Sequence, residues 1–399
     1  MLRQWMMVGI FVAGMTLGTT RAKDLWSPKT AKVVWKAAVG VGYSSVAVDG
    51  DRLYTMGNKS NQDTVFCLNA KTGKIIWKYT YRCKLGKYKG SRAAPVLDGG
   101  KLYVVSDQGE LFCIDVAAGK LDWKVNVLKA TKNSKKEWVI ASSPAVAGKF
   151  VLLNMGSSGV AVHKATGKLA WKSKGRSGYA SPLVFGSEEK PLAVISSEKK
   201  LNVVDVGTGK VLAEYDWKVS NKVNAATPLL VNDQIFITSA SEKRSLLLRF
   251  AAGALEPVWE SDVLKYYFNS CVAVDGYIFG LDGERKRDGV LRCLSLKDGS
   301  EAQSKEMSFA SLSENDGKLI VLDEAGTLHF IRATLDSFDD LHTFKTGLKK
   351  LCWTPPVFAN NMIYCRNSLG ALVAVSVQKE IKKVKKAADK KAPPKKDKK

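Results

Sequence analysis

The chain has 399 residues, of which 45% are hydrophobic and 25% are charged, and its formal net charge is +24. This apolar content can supply a large core, which excludes an intrinsically disordered protein. The length would accommodate two or three ordinary domains, but the continuous repeats described below favour a single large one.

The chain begins with the features of a secretory signal. Arg3 precedes an apolar run from Trp5 to Gly18, and Thr20-Arg21-Ala22 offers small residues where a signal peptidase cleaves. We therefore expect residues 1–22 to be a cleaved signal peptide and the protein to be periplasmic or secreted. An uncleaved anchor is the alternative, although the run is short for a membrane span.

A two-strand unit that ends in tryptophan then recurs along the chain. Three copies are Val65–Lys78, Leu111–Lys124 and Gly159–Lys172, and in each of them Trp follows a turn Gly by four residues. A strand, turn and strand precede each copy, as in Ala94–Asp107. Four strands every 40–50 residues or so indicate the blade of a propeller.

Eight such units predict an all-β fold, an eight-bladed β-propeller with four-stranded blades, over residues 23–378. The last copy ends at Val375 without an outer strand, whereas Ala31–Lys36 is an outer strand without a preceding blade. We expect the N-terminal strand to complete the last blade, which would leave the ring with no open edge.

The chain ends in a basic segment, residues 379–399, with eleven lysines and few apolar residues. This composition predicts a disordered Lys-rich tail. Without the tail and the signal, about +14 of the formal charge remains on the predicted propeller. The basic character therefore belongs to the whole protein.

The seven cysteines do not form an obvious disulfide framework. Cys67, Cys113 and Cys293 share one position in the middle of an apolar strand, where other copies of the repeat have Ala or Val. We expect these three to be small core residues. One disulfide remains possible among the other four, and the sequence does not choose the pair: Cys83, Cys271, Cys352 and Cys365.

The repeat resembles that of the quinoprotein-like β-propeller family, also called the pyrroloquinoline quinone repeat, whose docking motif is Ala-x-Asp-x-x-Thr-Gly-x-x-x-Trp. Asn69, Thr72-Gly73 and Trp77 match it closely. The resemblance implies that each Trp packs against the small residue of a neighbouring repeat. The predicted docking residues are Trp35, Trp77, Trp123, Trp171, Trp259, Gly73, Gly119, Gly167 and Gly209. Trp217 stands outside this register, and we expect it to contribute less to stability.

The family contains both quinone-dependent dehydrogenases and non-catalytic propellers, including the lipoprotein component of the outer-membrane protein assembly machinery. The dehydrogenases flank their quinone with two adjacent cysteines, and no cysteine here is adjacent to another. The resemblance thus implies a monomeric, non-catalytic scaffold for a protein partner in the cell envelope, without a cofactor. The alternative is a pyrroloquinoline-quinone-dependent dehydrogenase, with calcium, acting on an alcohol or sugar. The histidines, His163, His329 and His342, lack metal-site spacing, so we expect no metal.

Basic loops predict a surface for an anionic partner. In a propeller, the loops between blades share a face with the loops between second and third strands, and here both sets are rich in Lys and Arg. We expect an acidic protein, an anionic polymer or a membrane surface as partner, and no nucleic acid. Lysines also occur in the turns of the opposite face, so the positive charge could be general. The candidate partner face comprises Arg82, Lys84, Lys87, Lys89, Arg92, Lys135, Lys136, Trp138, Arg176, Tyr179, Arg285, Lys286 and Arg287.

Overall fold

The computed structural model describes residues 26–84, 89–133, 140–219, 223–242, 244–266, 268, 271–283, 288–334 and 337–379. The predicted signal peptide and nearly all of the Lys-rich tail lie outside these ranges. Within them, strands alternate with tight turns, and the helical segments are α1 (Val127–Thr131) and a single 3-10 turn at Pro28–Thr30. No helix in the described part of the chain has the length and hydropathy needed to cross a membrane.

The strands form eight antiparallel sheets of four strands each, which confirms the predicted propeller. Blades one to four are β2 (Ala47–Asp49), β3 (Arg52–Lys59), β4 (Gln62–Asn69) and β5 (Ile75–Arg82); β6 (Val96–Asp98), β7 (Lys101–Val105), β8 (Glu110–Asp115) and β9 (Leu121–Asn126); β10 (Ala145–Ala147), β11 (Phe150–Leu153), β12 (Val160–His163) and β13 (Leu169–Lys172); β14 (Leu183–Gly186), β15 (Pro191–Ser196), β16 (Lys200–Asp205) and β17 (Val211–Asp216).

The remaining blades repeat this order. Blades five to eight are β18 (Leu229–Val231), β19 (Gln234–Ser239), β20 (Arg244–Ala251) and β21 (Ala254–Ser261); β22 (Val272–Val274), β23 (Tyr277–Asp282), β24 (Asp288–Ser295) and β25 (Glu301–Ser308); β26 (Ala310–Asn315), β27 (Lys318–Asp323), β28 (Thr327–Ala333) and β29 (Phe338–Lys345); β30 (Val357–Ala359), β31 (Met362–Arg366), β32 (Ala371–Ser376) and β1 (Lys32–Ala38).

The last of these strands, β1, closes the ring as predicted. It pairs antiparallel with β32, with Lys32 opposite Ser376 and Trp35 opposite Ala374. Every edge inside blade eight is thereby paired, and the two ends of the chain hold the same sheet together.

A buried arginine secures the contact between blades eight and one. Arg366 is 1% exposed, and its guanidinium donates hydrogen bonds to the carbonyl oxygens of Ser44 (2.7 Å) and Met56 (2.8 Å) and to the Thr55 hydroxyl (2.9 Å). Burial lowers the pKa of this guanidinium to about 10. Because all three acceptors are neutral, hydrogen bonds hold the cation in place without an ion pair.

The cysteines lie in the cores that form between neighbouring blades. Cys67 packs with Tyr54 of its own blade and with Phe112 of the next one. All seven cysteines are buried and unpaired. The expectation that Cys67, Cys113 and Cys293 fill small core positions is confirmed, and the disulfide that the sequence left possible is not formed.

The propeller has two faces, which we name by their connections. The loop face carries the segments between blades, such as 39–46 and 346–356, and the connections between second and third strands, such as 106–109 and 367–370. The turn face carries the tight turns between first and second strands and between third and fourth strands, such as 69–74.

Candidate functional site

The docking tryptophans occupy one position on the outer strand, and a β-bulge marks that position. Trp77 lies opposite Cys67, and the register shifts between Cys67 and Leu68. The same bulge occurs in all eight blades, including those where Ala213, Gln303 and His342 replace the Trp. An extra residue at a bulge redirects the side chains around it, and here it accompanies a ring that points at the next blade.

Each docking ring covers a turn glycine of the following blade. The indole Nε1 of Trp77 donates to the Val116 carbonyl at 2.9 Å, and a Cβ built on Gly119 would lie 2.5 Å from the ring. Only glycine fits there, since its φ is also positive. The same arrangement joins Trp35 to Gly73, Trp123 to Gly167, Trp171 to Gly209 and Trp259 to Gly299.

Two details differ from what the resemblance implied. The small residue opposite each Trp belongs to the same blade, as Cys67 does for Trp77, and the neighbouring blade supplies the glycine and a carbonyl oxygen. Gly299 was missed because its turn has neither the Thr nor the Trp of the motif: Asp298 and Gln303 occupy those positions.

Other tryptophans occupy junctions that lack a docking ring. Trp217 is 1% exposed and packs in the core between blades four and five, where the Arg244 guanidinium lies 4.8 Å from its ring centre. Trp26 packs against Phe330 and Phe358 between blades seven and eight. Trp217 is thus more deeply buried than the docking tryptophans, which is a structural reason to revise the prediction, based on the repeat register alone, that it contributes less to stability than they do.

Hydroxyl groups form a belt along the first strands of blades two to five. The Ser143 hydroxyl accepts from the Ala94 amide (2.8 Å), the Ser181 hydroxyl from the Ser143 amide (2.9 Å), and the Thr227 hydroxyl from the Ser181 amide (3.3 Å). Each link joins one blade to the next at the loop-face end of its innermost strand. The belt therefore holds the base of the loops at fixed spacing.

Six residues of the candidate partner face are described. Arg82, Lys84, Lys89 and Arg176 are exposed on the loop face, with Arg176 3.7 Å from Glu198. Arg92 and Tyr179 are partly buried at the same face. The remaining candidates lie outside the described residues: Lys87, Lys135, Lys136, Trp138, Arg285, Lys286 and Arg287.

The lysines of the turn face have a different environment, because several form ion pairs with aspartates of neighbouring turns. Lys71 lies 2.8 Å from Asp51, and Lys164 lies 2.7 Å from Asp98. Lys101 similarly contacts Asp122. Pairing of this kind cancels much of the field of these lysines at a distance.

An aromatic cluster lies on the loop face, beside the basic residue Arg92. Trp353 contacts Tyr43 with nearly parallel rings 5.6 Å apart, and it also packs on Phe309 (6.2 Å) and Phe268 (5.7 Å). Phe268 is 44% exposed. These four residues come from the loops that precede blades one, six, seven and eight. We call them the aromatic cluster.

Hydrogen bonds from the first strands hold the centre of the cluster. The Thr354 hydroxyl donates to the Tyr43 carbonyl (3.2 Å), and the Ser311 hydroxyl donates to the Trp353 carbonyl (2.9 Å). The Trp353 indole donates to Glu324 at 3.2 Å. These bonds fix Trp353 and the backbone of Tyr43 at the centre of the cluster, which favours a preformed binding surface there.

Sequence reasoning did not find this cluster. Tyr79 and Tyr81, which precede the first basic loop, do not belong to it, because both rings pack on Phe112 between blades one and two, at 5.9 Å and 4.3 Å. They lie on the core-facing side of β5, two residues apart, as alternation along a strand requires.

A buried polar group beneath the first basic loop is structural. The Asp63 carboxylate accepts hydrogen bonds from Asn58 (2.6 Å), Ser91 (3.0 Å) and Tyr81 (3.2 Å), and burial raises its pKa. The nearby Cys83 thiol donates to Asp107 at 2.9 Å, and burial with that bond raises the pKa of the thiol. A thiol in this state is a poor nucleophile.

The residues do not fit the calcium and pyrroloquinoline quinone of the dehydrogenase branch. Each of the seven thiols is buried and none is adjacent to another, so no cysteine pair is available to flank a quinone. In the described ranges, His, Cys, Asp and Glu side chains do not gather in any group of three that could hold a metal ion. We therefore derive no reaction step through this cofactor.

Comparison with known proteins gives one family match and many structural matches. The family described as outer membrane protein assembly factor BamB matches residues 24–88 and 81–305. No curated protein sequence matches the chain significantly.

Among solved structures, BamB from Moraxella catarrhalis has a TM-score of 0.67 at 14% identity, covering 87% of this chain and 99% of that one. The quinohemoprotein alcohol dehydrogenase ADHIIG from Pseudomonas putida HK5 has a TM-score of 0.65 at 12% identity, covering 92% and 78%. The quinohemoprotein alcohol dehydrogenase from Comamonas testosteroni has a TM-score of 0.62 at 13% identity, covering 88% and 77%. At these identities, the structural likeness shows the fold alone.

Proposed function

This chain belongs to the family described as outer membrane protein assembly factor BamB, and we propose that it is a non-catalytic scaffold for a protein partner in the cell envelope. The partner binds the loop face. It presents an acidic segment to the basic loops and an apolar side chain to the aromatic cluster.

The contact between Arg92 and Tyr43 is the observation that carries this proposal. The Arg92 guanidinium carbon lies 5.6 Å from the centre of the Tyr43 ring, and that ring stacks on Trp353. Arg92 and the aromatic cluster are therefore parts of one continuous surface. Aromatic and Arg side chains surrounded by polar residues are the usual centre of a protein interface.

The rigidity of this surface also supports a scaffold. Hydrogen bonds of the Thr354 and Ser311 hydroxyls and of the Trp353 indole fix the centre of the aromatic cluster, so less ordering entropy is lost there when a partner binds. Charge on the loops accelerates the encounter with an acidic partner, and the aromatic rings supply the apolar area that slows dissociation.

Site-specific photo-crosslinking in the cell of origin tests the proposal. We expect a benzophenone amino acid at Lys84 or Phe268 to crosslink one discrete protein, identified by mass spectrometry. The matched control places it at Lys168, an exposed lysine in a turn of the opposite face. Charge reversal at Arg82, Lys84 and Lys89 should abolish the crosslink from Phe268 without changing the circular dichroism spectrum.

Two outcomes would contradict the proposal. A specific protein captured from Lys168 and from neither loop-face position would place the partner on the wrong face. Turnover of an alcohol or sugar by the purified protein, dependent on added pyrroloquinoline quinone and calcium, would favour the dehydrogenase alternative.

A further inference from the structure

The two ends of the described chain leave the propeller side by side on the turn face. The Ser27 amide donates to the Val377 carbonyl at 2.8 Å, and Trp26 pairs with Gln378 in an isolated antiparallel bridge. Trp26 is 6% exposed within the core of blades seven and eight. Both exit points are therefore fixed to blade eight, on the face opposite the basic loops.

Exposed apolar side chains lie on the outer strands of blade eight and of the next blade in the ring, blade one. Val34 (42% exposed), Ile75 (55%) and Ile76 (44%) make up half of the six large apolar residues exposed in the described part of the chain. Val34 precedes Trp35, whose ring covers Gly73, and Ile75 and Ile76 begin the strand that follows that glycine. The three residues thus lie on the outer strands of blades eight and one, near the turn face.

Lysines surround this apolar group. Lys29, Lys32 and Lys74 are exposed at the same end of these strands. The chain continues beyond Lys379 with twenty residues, ten of them Lys and three acidic. We call this region, comprising Val34, Ile75, Ile76 and the three lysines, the seam corner.

We propose that the seam corner binds an anionic lipid bilayer, with its apolar side chains at the headgroup boundary and with Lys29, Lys32 and Lys74 on the lipid phosphates. Apolar residues flanked by lysines are the combination that binds such an interface, because apolar burial and electrostatic attraction add. Neither alone holds a protein stably on a membrane.

The proposal also fixes an orientation. A strand such as β3, with eight residues, spans about 25 Å at 3.3 Å per residue. The loop face therefore points away from the bilayer by more than two Debye lengths of about 8–10 Å. This inference stands independently of the loop-face partner, and it moves membrane contact from the basic loops, where the sequence alone had placed it, to the opposite face.

Vesicle sedimentation tests the binding. The probe is equimolar phosphatidylcholine and phosphatidylglycerol, with pure phosphatidylcholine as the uncharged comparison. Replacing Ile75 and Ile76 by Ser should lower partitioning of the protein onto the vesicles about tenfold. The reason is that the change removes roughly half of the free energy of transferring the two exposed side chains from water to the bilayer. The matched control is Val258→Ser, because Val258 is 42% exposed and precedes Trp259 in blade five, across the ring. It should leave partitioning unchanged.

Deletion of residues 380–399 separates the corner from the tail. We expect weaker binding that still depends on Ile75 and Ile76 and still falls with added salt. Complete loss on deletion, or full binding by the Ile75→Ser/Ile76→Ser variant, would overturn the proposal. A drop in molar mass of that variant in solution without lipid would show that a second copy, and not a bilayer, covers the corner.

A dye reports the orientation directly. The native thiols are all buried, so an environment-sensitive maleimide should label only an introduced exposed cysteine. On anionic vesicles, the dye at Thr72→Cys, in the turn face of blade one, should shift to shorter wavelength. The dye at Lys84→Cys should not. A shift at Lys84→Cys alone would show that the loop face contacts the bilayer, and it would refute the proposed orientation.

Discussion

Truncation of Trp217 should destabilise the propeller more than truncation of a docking tryptophan does. Trp217 is 1% exposed and fills the core between blades four and five, so Trp217→Ala should cost about 4 kcal/mol of unfolding free energy, within the range for buried aromatic residues. The loss includes the contact with Arg244, which contributes about 0.5–1 kcal/mol.

Trp77→Ala should cost less, about 2–3 kcal/mol, because its ring is only partly buried. Its hydrogen-bond acceptor, the Val116 carbonyl, also keeps a second donor in Arg52, so truncation leaves no unpaired buried carbonyl. Urea unfolding followed by circular dichroism, with equal m-values, gives both losses. Trp217→Phe, which keeps most of the packing, is the conservative control. If Trp77→Ala cost as much as Trp217→Ala or more, the assignment of Trp217 to the core of this junction would be refuted.

Two further predictions concern buried polar groups. Arg366→Met should lower the unfolding free energy by about 2–4 kcal/mol, because it leaves buried carbonyls without donors, and Arg366→Lys should cost less; a gain in stability with Met would contradict the role of Arg366 in closure. Stability should also fall as pH rises from about 9 to about 12, because burial raises the pKa of Cys271, Cys293 and Cys352 to about 12. The thiols of the unfolded chain lose their protons near pH 8.5, whereas the folded ones keep theirs. The unfolding free energy therefore falls by up to about 1.4 kcal/mol per pH unit for each thiol. Urea midpoints at rising pH should fall less steeply in Cys293→Ala, and an unchanged slope would be evidence against this assignment.

The sequence predicted the blades because each depends on local signals. A turn Gly four residues before Trp, Pro at the start of a first strand and apolar alternation recur along the chain, and each signal spans only some fifteen residues. Closure was also predictable, since Ala31–Lys36 had the pattern of an outer strand and the last copy lacked one.

The role of Trp217 depends on a neighbouring blade, which the repeat pattern does not describe. Where Ala213 removes the docking ring, Trp217 four residues later enters the adjacent core. The hydroxyl belt was missed for the same reason, because the bond between Ser143 and Ser181 joins two blades and no local pattern within one repeat describes it.

The candidate surface was predictable only in its charges. Arg82 ends the outer strand of blade one and Lys84 follows it, so the order of the strands alone assigns both residues to the loop face. The aromatic cluster could not be found this way, because Tyr43 and Trp353 lie more than three hundred residues apart and meet only when the ring closes. In the sequence, these two residues belong to two loops with no visible relation to each other.

Closure therefore does more than remove an open edge. It brings the first described residues against the last, so that Trp26, Ser27 and Val377 fix both chain ends on the turn face. On the opposite face, closure brings Tyr43 against Trp353, and Arg366 of blade eight is buried where it donates to the Ser44 carbonyl. Blade eight thus contributes to both the aromatic cluster and the seam corner. Because a rigid sheet about 25 Å long separates them, a partner on the loops and a bilayer at the corner can be bound together without contact between the two ligands.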